Sequence, residues 1–182
     1  MPQTVHASDM PQAHPGLVAD SGIVQDTISR LVEDAAGALS GTFLVPGTDA
    51  ENQALVPTSA AEITDGDGLG VVMYDASKAP AATAAAQAAD NDHDVEQSVP
   101  LVQKGRVWVI CDAGATITAN SQAFVRYATG AGGTRLGVFR EDDPGSEAAA
   151  LPNGVFRSAH QDVVFQADTY RVALLEINLP TV

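Results

Sequence analysis

The second half of the sequence is a close succession of short apolar runs, and this feature constrains the fold more than any other. The longest run covers residues 99–111. Shorter ones follow at Ile117 and at residues 124–127, 136–139, 155–156, 163–165 and 170–179. Gly, Asn, Asp and Pro separate the runs. Short strands at this spacing are typical of a β-sandwich or barrel rather than of alternating strands and helices. The sequence therefore predicts an all-β, or mainly β, fold.

The first half of the sequence contains fewer clear elements. Residues 42–45 and 69–74 are apolar runs beside Pro-Gly and Asp-Gly turns, which predicts two more strands. Residues 23–36 fit either a strand or a helix, and their apolar spacing slightly favours the helix. Residues 79–94 are first rich in alanine and then acidic, which is typical of a short helix or a loop.

The length and composition predict one domain preceded by an arm. A chain of 182 residues falls within the usual size of a single domain. Residues 1–22 are rich in Pro, His, Asp, Gln and Ser and hold few large apolar side chains. We interpret them as an extended N-terminal arm that becomes ordered against a partner. Residues 23–182 are then a single β domain.

The charge balance excludes two classes of partner. Nine basic residues face 23 acidic ones, for a net charge of -14. Proteins that bind nucleic acid or anionic membranes need Lys and Arg to neutralise phosphate groups, so neither partner is expected. No apolar stretch reaches 18 residues, and the N-terminus lacks the succession of a secretion signal, so we expect a cytoplasm-like compartment.

No catalytic, cofactor or metal site is predicted. The four histidines, at positions 6, 14, 93 and 160, do not share the spacing of metal ligands. Residues 90–94 form an acidic cluster, interpreted as a solvated loop rather than a cation site. Cys111 is the only cysteine, so it forms no internal disulfide, and its apolar surroundings predict a buried, inert thiol. We therefore expect a protein that is not an enzyme.

Several strand motifs, taken in order, resemble the structural cement (decoration) proteins of tailed-phage capsids. The resemblance extends over residues 15–180. It rests on the Lys-Gly-Arg-Val-Trp-Val strand in residues 99–109, the Phe-Val-Arg sequence at 124–126, the Glu-Ile-Asn-Leu-Pro ending in 172–180, and the early segments 28–33 and 70–75. Each motif alone is generic β sequence, and their order is the stronger signal.

The resemblance implies a jelly-roll-like β-sandwich on the outer surface of a capsid, where it bridges neighbouring subunits of the major capsid protein. It also implies a homo-oligomer, a dimer or trimer, that assembles in the host cytoplasm, and it favours a strand over residues 27–34. Within the arm, His14, Pro15, Leu17 and Val18 are the residues expected to contact the capsid or a sister subunit.

Two other functions remain open from the sequence. The first is a receptor- or carbohydrate-binding β-sandwich on a particle surface, which would expose Tyr74, Trp108 and Tyr127. A cement protein is instead expected to bury at least Trp108. The second is a small β-barrel enzyme, which the missing histidine pair disfavours.

Overall fold

The computed structural model describes residues 13–19, 26–65, 68–74, 92–130, 135–143, 146–165 and 168–179. These residues form ten strands and one helical turn. In chain order they are β1 (Asp26–Val32), β2 (Phe43–Pro46), β3 (Gln53–Leu55), α1 (Ala61–Thr64), β4 (Gly70–Val72), β5 (Ser98–Cys111), β6 (Gln122–Arg126), β7 (Phe139–Arg140), β8 (Ala148–Phe156), β9 (Gln161–Phe165) and β10 (Asp168–Asn178). The predicted all-β, jelly-roll-like fold is confirmed. In the described part of the chain, no helix is long and apolar enough to cross a membrane.

The strands close into two rings that share β5. One ring runs β1-β3-β2-β4-β5 and closes by pairing β5 with β1. The other runs β5-β7-β6-β8-β10 and closes by pairing β10 with β5, while β9 pairs with β10. Closing a sheet pairs the edge strands that would otherwise present unpaired backbone groups. The shared strand makes the two rings one continuous structure.

Strand β5 changes its partner near its middle. Residues from Ser98 to Lys104 pair with β1, and residues from Lys104 to Cys111 pair with β10. Gly105 follows the change directly and has a φ of 134°. That backbone conformation strongly favours glycine because it has no Cβ.

Residues 27–34 were ambiguous by spacing, and the strand is confirmed over β1. Thr27, Ser29 and Leu31 are exposed, whereas Ile28 packs against buried side chains and Val32 is buried. β1 pairs antiparallel with β5, from Asp26 opposite Lys104 to Leu31 opposite Ser98. The spacing of the apolar residues slightly favoured a helix, but the hydrogen bonds to β5 hold this segment as a strand.

Two clusters of buried side chains make up most of the core. The larger includes Phe43, Phe139 and Phe156, and the rings of Phe43 and Phe139 meet edge to face with centroids 6.3 Å apart. The smaller fills the first ring and includes Leu44 and Leu101. Burying each of these side chains contributes roughly 1.5–3 kcal/mol to folding.

Two local predictions need correction. Ile117 is buried, but it lies in a loop rather than a strand. The strand predicted at residues 155–156 begins earlier, at Ala148, and Ala148, Ala149 and Ala150 pair with β6. Alanine is a poor strand former alone, yet here it lies opposite the larger residues of β6.

The acidic cluster at residues 90–94 is described only from Asp92 onward. His93 is buried and forms an isolated bridge with Ala38, so the solvated-loop interpretation is wrong for this residue. The alanine-rich residues 79–89, predicted as a helix or loop, lie outside the described residues, as do residues 1–12 and 20–22 of the predicted arm.

Candidate functional site

The described part of the N-terminal arm, residues 13–19, lies along β5. The Gly16 N–H donates to the Trp108 carbonyl at 2.8 Å, and the Trp108 N–H donates to the Leu17 carbonyl at 2.9 Å. Val18 forms an antiparallel bridge with Val107. Because β1 and β10 occupy the other edge of β5, this segment pairs with the edge they leave open.

The four residues predicted to contact the capsid or a sister subunit are brought together in this segment. His14 and Pro15 are buried within the chain, and the His14 ring meets the Tyr74 ring edge-on at 4.8 Å. Leu17 and Val18 are half-buried, and Val18 packs against the main core. Their contact with a capsid or sister subunit stays a prediction, and Leu17 and Val18 keep surface for it.

The outer face of the sheet beside this segment carries an apolar pair in register. Trp108 of β5 lies opposite Leu174 of β10, and both are half-buried. Their neighbours Val107, Val109 and Leu175 are fully buried, so the alternation of the strands turns Trp108 and Leu174 to the outside. Trp108 is therefore neither buried, as expected of a cement protein, nor fully exposed, as expected of a carbohydrate-binding module.

Charged side chains border the apolar pair. Arg106 lies opposite Glu176, and Glu176 in turn lies opposite Val155 of β8. Glu176 accepts hydrogen bonds from Arg106 Nε at 2.7 Å and from Arg157 Nη2 at 2.9 Å. The bonds from Arg157 and then from Arg106 lower the pKa of Glu176 to about 2, so this carboxylate stays ionised at neutral pH.

An open cleft of about 270 Å³ lies at the end of this face, where β5 changes partner. Val155 and Ile177 contribute apolar surface to it, and Lys104, Arg106 and Asn153 contribute polar surface. Lys104 is exposed, and no carboxylate of the described residues forms an ion pair with it. We call the outer surface of Lys104, Arg106, Trp108, Val155, Arg157, Leu174 and Glu176 the Trp108 face.

One group of residues superficially resembles a catalytic triad. Ser40 Oγ lies 3.2 Å from His93 Nε2, and Asp92 Oδ1 lies 3.6 Å from the same nitrogen. In a working triad the acid holds the other ring nitrogen, which positions the histidine as a base for the serine. Ser40 is also wholly buried, and its N–H donates to Asp92 Oδ1 at 2.8 Å. The arrangement joins two loops and has the wrong geometry for catalysis.

A buried ion network beside β5, β6 and β7 was not anticipated from the sequence. Asp112, directly after β5, accepts from Arg126 Nη2 and from Arg140 Nη1, each at 2.7 Å. Arg126 Nη1 also donates to Glu147 at 2.7 Å. Burial opposes the charge on Arg126, but its hydrogen bonds to Asp112 and Glu147 outweigh burial and raise its pKa. The sequence signal was an arginine inside the apolar run 124–127.

The described histidines and the cysteine have structural contacts or are buried. Among the residues that the structure describes, no group of three or more His, Cys, Asp or Glu side chains is placed to hold a metal ion. Cys111 is buried, as predicted, and burial is the main cause that raises the pKa of its thiol. His160 Nδ1 accepts from the Ile117 N–H at 3.0 Å, which anchors a loop.

Comparisons with known proteins give one family match and a likeness to a solved structure. The family described as structural cement protein (E217 gp24/Pam3 gp6) matches residues 1–178. A chain from the structure of the capsid of Myoviridae phage XM1 superposes with a TM-score of 0.61 at 14% sequence identity. The superposition covers 96% of this chain and 98% of that chain, so the two share a fold.

No curated protein matches the sequence. The assignment therefore depends on the family match, which spans nearly the whole chain. The chain belongs to the phage structural cement protein family, and so to the structural proteins of the virion.

Proposed function

We propose that this protein decorates the outer surface of a tailed-phage capsid and cements it by bridging neighbouring major capsid subunits. The observation that carries the proposal is the family match over residues 1–178. A structural role requires no catalytic centre, and the described residues form a closed double ring with a buried ion pair between Arg126 and Asp112.

The architecture suits a protein that resists movement between its neighbours. β5 runs through both rings, so a load applied to one ring is transmitted along a paired strand to the other. When one contact of a multivalent protein is bound, its other contacts are held close to their own sites on the shell. Several weak contacts can therefore give tight binding overall. Because linked copies also add their affinities, we propose that the protein acts as a homo-oligomer, a dimer or trimer. We propose further that it assembles in the host cytoplasm.

Contact through the N-terminal arm is part of the proposal. Leu17 and Val18 would offer their exposed surface to the capsid or a sister subunit, while His14 and Pro15 hold the segment in place. A truncation that tests the arm should stop before Ala13, because residues 13–19 are paired with β5. Removing all of residues 1–22 would also remove that pairing.

Among the described residues, Tyr74, Trp108 and Tyr127 do not form the exposed aromatic platform that the carbohydrate-binding alternative needs. Tyr74 meets the His14 ring, and the Tyr127 hydroxyl donates to the Ser146 carbonyl at 2.7 Å. Both rings are half-buried, as is Trp108, which lies on an outer sheet face.

The test is the binding of the purified protein to capsids assembled without it. We expect saturable co-sedimentation with mature shells, weak binding to immature shells, and a higher temperature of shell disruption when the protein is bound. Absence of binding to either shell, or binding without any rise in that temperature, would contradict the cementing role.

A second measurement addresses the arm. A variant lacking residues 1–12 is expected to unfold at the same urea concentration as the full chain and to occupy fewer capsid sites. Equal occupancy by both proteins would remove these residues from the binding mechanism.

A further inference from the structure

We propose that Asn153 is a site of spontaneous deamidation, where water hydrolyses the side-chain amide and leaves a carboxylate in the cleft that Lys104 also lines. The inference goes beyond the proposed function and does not depend on it. It begins from the sequence Asn153-Gly154, which lies within β8 but at an interruption of the pairing of that strand.

Strand β8 bulges between residues 150 and 155. Gln122 of β6 lies opposite Val155, and Phe124 lies opposite Ala150, so residues 151–154 of β8 face a single residue of β6. Extra residues in one strand are left outside the regular ladder and bend the chain locally. The Asn-Gly sequence lies inside this bulge, where the backbone can rearrange with less loss of pairing than elsewhere in the strand.

The conformation of Asn153 presents its side-chain amide to the solvent. Its φ is 58°, in the left-handed region that asparagine adopts more readily than most residues. The residue is exposed and lines the cleft at the end of the Trp108 face. Among the described residues, no group forms a hydrogen bond with the Asn153 amide. The amide is therefore free to turn toward its own backbone.

Gly154 supplies an unhindered attacking nitrogen. Its backbone nitrogen follows Asn153 directly in the chain, and glycine has no Cβ to obstruct the approach of this nitrogen to the Asn153 Cγ. A Cβ at Gly154 would lie 2.8 Å from the Leu151 Cδ2, so the packing of the bulge also favours glycine here. The fold thus favours the following residue that makes an asparagine most labile.

The reaction proceeds in two balanced steps. The Gly154 nitrogen, after losing its proton to the solvent, attacks the Asn153 Cγ and forms a carbon–nitrogen bond. The bond from Cγ to the amide nitrogen then breaks, and that nitrogen leaves as ammonia after taking a proton from the solvent. Water opens the resulting succinimide ring at either carbonyl, which gives aspartate or isoaspartate. No oxidant or cofactor takes part.

The product changes the charge of the cleft. Lys104 is exposed there, and no carboxylate of the described residues forms an ion pair with it. A carboxylate at position 153 would share the cleft with this ammonium group. The isoaspartate product would also lengthen the backbone of the bulge by one carbon atom. Deamidation would therefore alter both the charge and the shape of this surface as the protein ages.

Asn120 provides a comparison within the same chain. It is also exposed and left-handed, with a φ of 69°. Ser121 follows it, however, and its Oδ1 accepts a hydrogen bond from the Arg157 Nη1 at 3.2 Å. The Cβ of serine hinders the attacking nitrogen, and the hydrogen bond restrains the amide. Asn120 should therefore deamidate more slowly than Asn153.

The test follows each asparagine by peptide mass spectrometry while the full chain is incubated in mildly alkaline buffer. Exchange of the amide nitrogen for oxygen raises the peptide mass, and an isoaspartate methyltransferase detects the rearranged product. Asn153→Gln removes the reactive residue, because a glutamine side chain would have to close a larger ring. Asn120→Gln is the matched control, and urea unfolding verifies that both variants are folded. The original protein in guanidinium chloride gives the rate of the unfolded chain.

We expect Asn153 of the folded protein to deamidate within about tenfold of its rate in the unfolded chain, because the exposed bulge adds less than about 1.4 kcal/mol to the barrier. Both aspartate and isoaspartate should form at this position, and Asn120 should react at least about tenfold more slowly. Asn153→Gln should abolish the main acidic form of the protein, whereas Asn120→Gln should not.

Three results would overturn the inference. One is a folded protein that stays intact while the unfolded chain reacts, because the fold would then protect the bulge. Another is deamidation of Asn120 before Asn153. The third is aspartate at position 153 without isoaspartate, since the succinimide ring opens to both. The original protein alone decides among these results, so they hold even if a variant fails to fold.

Discussion

Arg126 and Asp112 form a buried ion pair, with Nε and Nη2 of Arg126 donating to Oδ2 of Asp112 at 2.9 and 2.7 Å. The side chains are 0% and 4% exposed. Arg140 Nη1 donates to the same oxygen at 2.7 Å. One carboxylate thus serves two arginines from β6 and β7, immediately after the end of β5.

This arrangement predicts that Asp112→Asn is strongly destabilising. Without the carboxylate, two buried guanidinium groups lose the buried charge that they share, and Glu147 and the exposed Asp142 compensate them only in part, which costs about 3–5 kcal/mol. The free energy of unfolding in urea measures the effect. Asp142→Asn is the control, since Asp142 also pairs with Arg140 but is 63% exposed, and it should cost less than about 1 kcal/mol. Equal losses in the two variants would contradict the structural role of Asp112.

The backbone of Gly70 lies so close to that of Val102 that a methyl group added at Gly70 is expected to destabilise the protein. Gly70 has a φ of 144°, and a Cβ built there would lie 2.5 Å from the Val102 carbonyl oxygen. Gly70→Ala is therefore expected to cost more than about 1 kcal/mol of unfolding free energy. At Gly114 nothing lies within 4 Å of an added Cβ, so Gly114→Ala should be neutral or slightly stabilising. A neutral Gly70→Ala variant would show that β4 can shift away from β5.

The pKa of Glu176 predicts how stability depends on pH. Because the folded-state pKa is lowered to about 2, Glu176 contributes stability above its unfolded pKa of about 4.5. That contribution is lost as the pH falls from about 4.5 through about 2. Unfolding in urea over this range should show a difference between the original protein and Glu176→Gln that shrinks toward low pH. A difference that stays constant with pH would contradict the assignment.

The thiol of Cys111 is expected to react slowly in the folded protein. Burial, and then the nearby charge of Asp112, raises the pKa of this thiol, so very little thiolate exists at neutral pH. Titration with an aromatic disulfide reagent should show little reaction in buffer and complete reaction of one thiol in urea. Fast reaction of the folded protein would mean that the end of β5 opens readily.

Several elements followed directly from local sequence. β5 and β10 are rich in β-branched and aliphatic residues, which favour a pleated, half-buried surface whatever their partners. The first part of β8 could not be predicted in this way, because Ala148, Ala149 and Ala150 have a weak strand preference. They form a strand because the fold places them beside β6. The apolar spacing around residues 27–34 favoured a helix, but pairing with β5 outweighs this local preference.

The sequence alone was enough to predict the all-β class, the buried cysteine and, through the order of its strand motifs, membership in the cement family. The tertiary structure alone decided which charges meet. Asp112, Arg126 and Arg140 are separated along the chain, as are Arg106, Arg157 and Glu176. Strand register sets these contacts, and register depends on the closure of the two rings around β5, which no local pattern of residues encodes.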